Sequence, residues 1–161
     1  MNEQTTDRLN TPGDYAQAIT SLVNEARLSV DVFSPDLTPV VFGGAEFIAA
    51  VRGFVLRHRH GVVRLLVRDS GPLTRGDHRF LELVQRTSSK IGVRVLTTDF
   101  HNREDAFVIA DGARYAQRHD ASGWTGVHDL SRPEVARQLL SAYNEMWEHS
   151  LPDPGVRRLH I

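Results

Sequence analysis

No cysteine occurs among the 161 residues, which excludes a disulfide framework, a thiolate nucleophile and a cysteine zinc site. Lysine is nearly as scarce: Lys90 is the only one, and the other basic residues are arginines. That bias fits a GC-rich bacterial genome and says little about chemistry. An excess of one charge is also lacking, since nineteen Lys and Arg face twenty Asp and Glu for a net charge of -1. No global field therefore draws the chain toward nucleic acid or an anionic membrane, and any anion site must be local. No apolar run approaches the roughly 20 residues of a membrane span. The opening MNEQTTDRLNTPGD lacks the apolar core of a signal peptide. A soluble, cytoplasmic protein without membrane insertion is expected.

What is present is the pattern of one α/β domain, long enough to bury roughly 70% of the surface of its unfolded chain. Residues 1–13 show no hydrophobic period and read as a flexible leader; 14–150 read as the domain and 151–161 as a tail. Tyr15, Ile19, Leu22, Val23 and Ala26 recur at helical spacing, with Asp14 as expected N-cap. Leu28 to Ser34 alternates as a strand with one buried face, stopping at Pro35. Gly43 and Gly44 open a helix with Phe47, Ile48, Val51, Phe54 and Val55 on one face, and its polar end runs from Arg57 to His60 before Gly61. Val62 to Arg68 predicts a buried strand, Gly76 to Ser88 a third helix, and Val93 to Thr97 a third strand. Ala106–Ala110 and Ala113–Gln117 flank Asp111 and Gly112 as a hairpin with a two-residue turn. Ser131, Arg132, Pro133 and Glu134 read as a capping box opening a last helix with Val135, Leu139, Leu140, Tyr143 and Trp147. This alternation predicts a mixed β-sheet flanked by helices on both faces.

Several of these segments, in this order, resemble one half of the phospholipase D superfamily, the phosphodiesterases with the signature HxKxxxxD. Tyr15 to Phe33 is similar to the family's opening helix and strand, and GVVRLLVRD from Gly61 to its next strand. FVIADGARY from Phe107 is similar to the hairpin that carries the signature, and LSAYNEMWEHS from Leu140 to the closing helix. The resemblance implies a histidine nucleophile that forms a phosphohistidine, a lysine that neutralises phosphate oxygens and an aspartate that supports the geometry. It further implies that two copies of the motif meet at one site, so a chain with one half is expected to form a homodimer.

The stretch HNREDAFVIADG, His101 to Gly112, tests the register. With Asp111 at the aspartate position, Glu104 stands where the histidine belongs and Ala106 where the lysine belongs. Glutamate repels a phosphate and alanine supplies no cation. Anchoring on His101 puts Arg103 at the lysine position but Val108 at the aspartate position. The Asp111 register keeps the hairpin and the sheet core intact, and it implies a degenerate motif and a non-catalytic domain.

Other residues could still carry chemistry. His101, His119, His78 and Asp111 are the candidate catalytic groups of a rival reading, a phosphodiesterase or nuclease with displaced histidines. His78 and Arg79 at a helix start, with Arg103, Arg118 and His119 around the hairpin, are candidates for binding a phosphate-containing ligand. Asp36 and Asp77 could join them. Arg157 and Arg158 offer a basic tail, and an arginine patch would make a nucleic-acid-binding module a third reading. His58 and His60 are two apart, so on a helix their rings diverge and no metal site is expected. No cofactor is implied.

Overall fold

The computed structural model describes residues 6–35, 37–69 and 79–152. Eight strands form one sheet: β1 (Thr6–Leu9), β2 (Ser29–Phe33), β3 (Val62–Val67), β4 (Ile91–Val95), β5 (Ala106–Ala110), β6 (Arg114–Arg118), β7 (Gly126–Asp129) and β8 (Leu151–Pro152). Their order is β1-β7-β6-β5-β2-β3-β4-β8, with β2, β3 and β4 parallel and every other pairing antiparallel. The helices are α1 (Pro12–Glu25), α2 (Pro39–Phe42), α3 (Ala45–Arg57), α4 (Arg79–Arg86) and α5 (Pro133–Glu148), with a 3-10 turn at Thr98–Phe100. The mixed sheet with helices on both faces is as the hydrophobic patterning predicts.

The sheet separates two cores. On one face Val30, Val32 and Leu65 pack under Tyr15 and Leu22 of α1, Phe47 and Phe54 of α3 and Phe80 of α4. On the other, Phe33, Leu66, Phe107 and Ile109 pack under Tyr143 and Met146 of α5. Alternate residues of β2 thus serve opposite cores. β5 is buried along its whole length, as a central strand covered on both faces must be. Fully burying Phe33 or Phe107 contributes about 2–3 kcal/mol each. One polar pair crosses the α5 side: Arg64 Nε donates to Asp31 Oδ1 at 2.6 Å and its NH2 to Asn144 at 2.9 Å. The Arg64 guanidinium also lies over the rings of Tyr143 and Trp147, so a buried carboxylate is both paired and covered.

Several sequence expectations are corrected. Residues 6–9 are not part of a loose leader: they form β1, an edge strand on β7, and Thr6 Oγ1 donates to Asp129 at 2.9 Å. The N-cap of α1 is Thr11 rather than Asp14; Asp14 is the third helical residue and closes a capping box with Thr11. Pro12 takes the first helical position, where its missing N–H costs nothing. Ser131 does not cap α5, because its N–H and hydroxyl both donate to Asp129 Oδ1 and Arg132 occupies the cap without a side-chain bond. The hairpin loop has three residues, Asp111 to Ala113, since Ala110 pairs with Arg114. Leu151 and Pro152, placed in the tail by sequence, add a short edge strand to β4. β7 begins at Gly126, where any Cβ would collide with the Gln117 carbonyl across the strand pair.

Candidate functional site

β2, β3 and β4 all finish at one end of the sheet, and in open sheets with parallel strands ligands bind beyond such carboxyl ends. The open end of the β5–β6 hairpin reaches the same place. His101, Arg103, Glu104, Arg118 and His119 therefore gather at this end, together with Arg68 just after β3 and Arg79 at the start of α4. Arg68 NH1 donates to the His101 carbonyl at 3.3 Å, tying the β3 end to the loop before β5. Asp36, Asp77, His78, Arg157 and Arg158 lie outside the described residues.

Most of the cationic groups at this end are already engaged. Arg103 donates Nε to Asp105 Oδ1 at 2.7 Å and NH2 to Asp105 Oδ2 at 3.0 Å, a bidentate pair. Gln117 donates to the same carboxylate at 2.9 Å from the neighbouring strand. Arg118 is buried, donating Nε to the Gly123 carbonyl at 2.8 Å and NH2 to the Ala121 carbonyl. Its guanidinium stacks 3.9 Å over the Trp124 ring and faces Tyr15 at 5.5 Å. Burial pushes the Tyr15 phenol up, Arg118 pulls it down and Asp105 raises it again, leaving it well above its ordinary value. Arg118 thus holds the β6–β7 loop together. His101, half-buried, lies with Nε2 3.3 Å from the Leu96 carbonyl. His119 is exposed.

The two positions that decide the motif register are both described. Glu104 is exposed, and its carbonyl accepts from Ala121 N at 2.6 Å. Ala106 is 1% exposed inside β5. No cation replaces a lysine at position 106.

Asp111 is not brought to this end. It sits at the hairpin tip, the length of β5 away and so roughly 17 Å from the histidines. There its carboxylate accepts from the backbone N–H groups of Arg27, Leu28 and Ser29 at 2.7 to 3.1 Å, and from Arg114 NH2 at 2.9 Å. Partial burial pushes its pKa up, but the three backbone donors and Arg114 outweigh that and hold it below the usual carboxylate range. The candidate catalytic set His101, His119 and Asp111 is therefore not assembled: Asp111 bolts the hairpin to the start of β2. Among the described residues no three His, Cys, Asp or Glu side chains converge as a metal site would require, and no helix is long and apolar enough to cross a membrane.

Sequence reasoning missed Asp105, Gln117, Trp124 and Arg68. A signal existed for one of them: a tryptophan inside the polar loop DASGWTG, Asp120 to Gly126, has to pack on something.

This architecture is a phospholipase D-like fold. Nuc from Salmonella typhimurium, a phospholipase D family member, aligns over 92% of this chain and 97% of its own at a TM-score of 0.67 and 14% identity. NucT from Helicobacter pylori aligns over 92% of this chain and 99% of its own at 0.64 and 12%. TrmBL2, an archaeal chromatin protein whose structure shows a novel mode of DNA binding, aligns over 95% of this chain but 56% of its own, at 0.66 and 11%. The chain belongs to the family described as domain of unknown function DUF7931, whose model matches residues 11–159. No curated protein sequence matches it.

Proposed function

We propose that this chain is a non-catalytic phospholipase D-like domain that acts by binding, as a homodimer, a phosphate-containing ligand or a partner. One observation carries the reading. Where the resemblance implies a nucleophilic histidine the chain has Glu104, and where it implies a phosphate-binding lysine it has Ala106, buried in β5. In-line displacement at a phosphodiester needs a nucleophile, a proton donor and cations around the equatorial oxygens. Here Arg103 is satisfied by Asp105, and Arg118 by two loop carbonyls. What remains toward solvent, Arg68, Arg79 and His119, together with half-buried His101, suits a shallow anion groove better than a reaction centre. The absence of cysteine is in keeping with a cytoplasmic setting for this domain.

The test is hydrolysis of bis(p-nitrophenyl) phosphate and of single- and double-stranded DNA by the full chain. No turnover above background is expected. A burst that survives chelation but disappears in His101→Ala or His119→Ala would overturn the proposal in favour of an enzyme with displaced histidines. The DNA binding named for TrmBL2 supports a second reading for this chain, a nucleic-acid-binding module working through an arginine patch. A salt-dependent gel shift weakened by Arg79→Ala would select it.

A further inference from the structure

We propose that the opposite end of the sheet, where β2 and β3 begin, is a docking face for an anionic phospholipid bilayer. This end takes no part in the candidate site, and two independent features converge on it.

The first is apolar. Six large hydrophobic side chains stand exposed among the described residues, and four of them are at this end: Leu28 (71%), Leu56 (77%), Val62 (47%) and Leu130 (38%). They sit on separate projections, namely the residue before β2, the last turn of α3, the first residue of β3 and the residue after β7. Leu28 and Val62 are neighbours, since Val62 N donates to the Leu28 carbonyl at 3.3 Å. Isolated leucines on projecting turns do not build the concave groove that a folded partner or peptide helix needs. They are suited to entering the soft boundary between headgroups and acyl chains.

The second is cationic. Arg27, Arg57 and Arg114 line a cavity of about 600 Å³ at this end together with Glu25, Asp111 and His58, and Arg59 and Lys90 lie in the turns beside it. Arg57 NH2 reaches the Asn24 carbonyl at 3.4 Å, so the ends of α1 and α3 share the patch. Arg114 is shared between Glu25 and Asp111, so its charge is offset there, and the excess positive charge of this end comes from Arg27, Arg57 and Arg59. Asp129 is bonded by Thr6 and Ser131, and exposed Asp7 lies farther off, on the edge strand β1. In a chain of net charge -1, positive charge is thus concentrated where the leucines project. Complementing the C-terminus of α3 accounts for Arg57 and for Lys90, whose Nζ donates to the Val55 and His58 carbonyls at 2.7 and 3.3 Å; it does not account for Arg27, Arg59 or the leucines.

Charge decides among occupants. A second copy related by a two-fold axis would set the same arginines against each other. A nucleic-acid backbone would use the arginines and leave the leucines idle. An anionic bilayer uses both, with guanidinium groups at the phosphates and aliphatic tips below them.

Co-sedimentation of the full chain with vesicles tests this. Vesicles of phosphatidylcholine mixed with phosphatidylglycerol should bind the chain at low salt, and pure phosphatidylcholine vesicles should not. Arg27→Glu with Arg59→Glu, and separately Leu28→Ser with Leu56→Ser, should each lower partitioning about tenfold or more, with circular dichroism unchanged. Equal binding to both vesicle types, no binding to either, or undiminished binding by either double variant overturns the proposal. So does capture of polyglutamate by the free chain without vesicle binding, which would make the partner an acidic protein. Oligonucleotide binding lost only in the arginine variant, with no vesicle binding, would make it a nucleic acid.

Discussion

At the hairpin tip Asp111 adopts φ 57°, a left-handed conformation that aspartate tolerates better than most residues. Gly112 follows at φ 67°. The turn aims the Asp111 carboxylate back at the N–H groups of Arg27, Leu28 and Ser29, which no strand partner could satisfy together. Asp111→Asn keeps the backbone preference but removes the charge, and should lower stability by about 1–3 kcal/mol in urea unfolding near pH 7. The native carboxyl titrates below its unfolded value, so its contribution is complete above about pH 4 and is lost as the pH falls through the lower native value. The gap between wild type and Asp111→Asn should therefore narrow progressively as unfolding is measured at pH values falling below about 4. A gap that stays constant down to the acid unfolding of the protein would show that the charge is not what Asp111 supplies. At the other end of β5, Ala106 is fixed by the opposite logic: a strand buried on both faces has no room for a long cationic side chain.

Among the elements, β1 is attached beside a buried titrating group. His128 of β7 lies opposite Asp7 of β1 in the register and is 8% exposed. Burial depresses its pKa below the ordinary histidine value; Asp7, Glu25 and Asp129 pull it upward, and Arg114 acts with burial. A depressed histidine contributes stability that is complete above its unfolded value, about pH 6.5, and lost as the pH falls through the native one. Amide-exchange protection of Thr6–Leu9 should accordingly fall between about pH 7 and pH 5 ahead of the central strands, and His128→Gln should flatten that profile. Equal pH dependence in the variant would exclude His128 as the cause. The same strand pair shows where sequence reading stops. α1, α3 and α5 were legible because their own apolar residues repeat at 3.6, and β3 because it is a short, nearly continuous apolar run. β1, TDRL, and β7, GVHD, carry no such period; His128 and Asp129 are buried by what pairs beside them. α2, PVVF, is a single turn and too short for any period. The candidate site divides in the same way. Glu104 and Ala106 could be read from motif spacing, whereas the Arg103–Asp105–Gln117 network exists only because β5 and β6 run antiparallel.

The whole molecule is polarised. The carboxyl end of its parallel strands holds Glu104, Ala106 and the Arg103–Asp105 pair, and the amino end holds Arg27, Arg57 and Arg59 with the exposed leucines. The homodimer proposed here is expected to sediment as such at micromolar concentration, and a monomer in sedimentation velocity would overturn it. Pairing by strand addition through β1 is disfavoured, because that edge is four residues long and carries Asp7 and Arg8. The position of β1 also bears on how the chain is made. Thr6 bonds Asp129 across 123 positions of sequence, so the earliest strand described is synthesised before any partner for it exists. It must wait, unpaired, until β7 has left the ribosome. During translation the helices and the β2–β3 pair can form first, and closing the sheet at β1 is a late, long-range event.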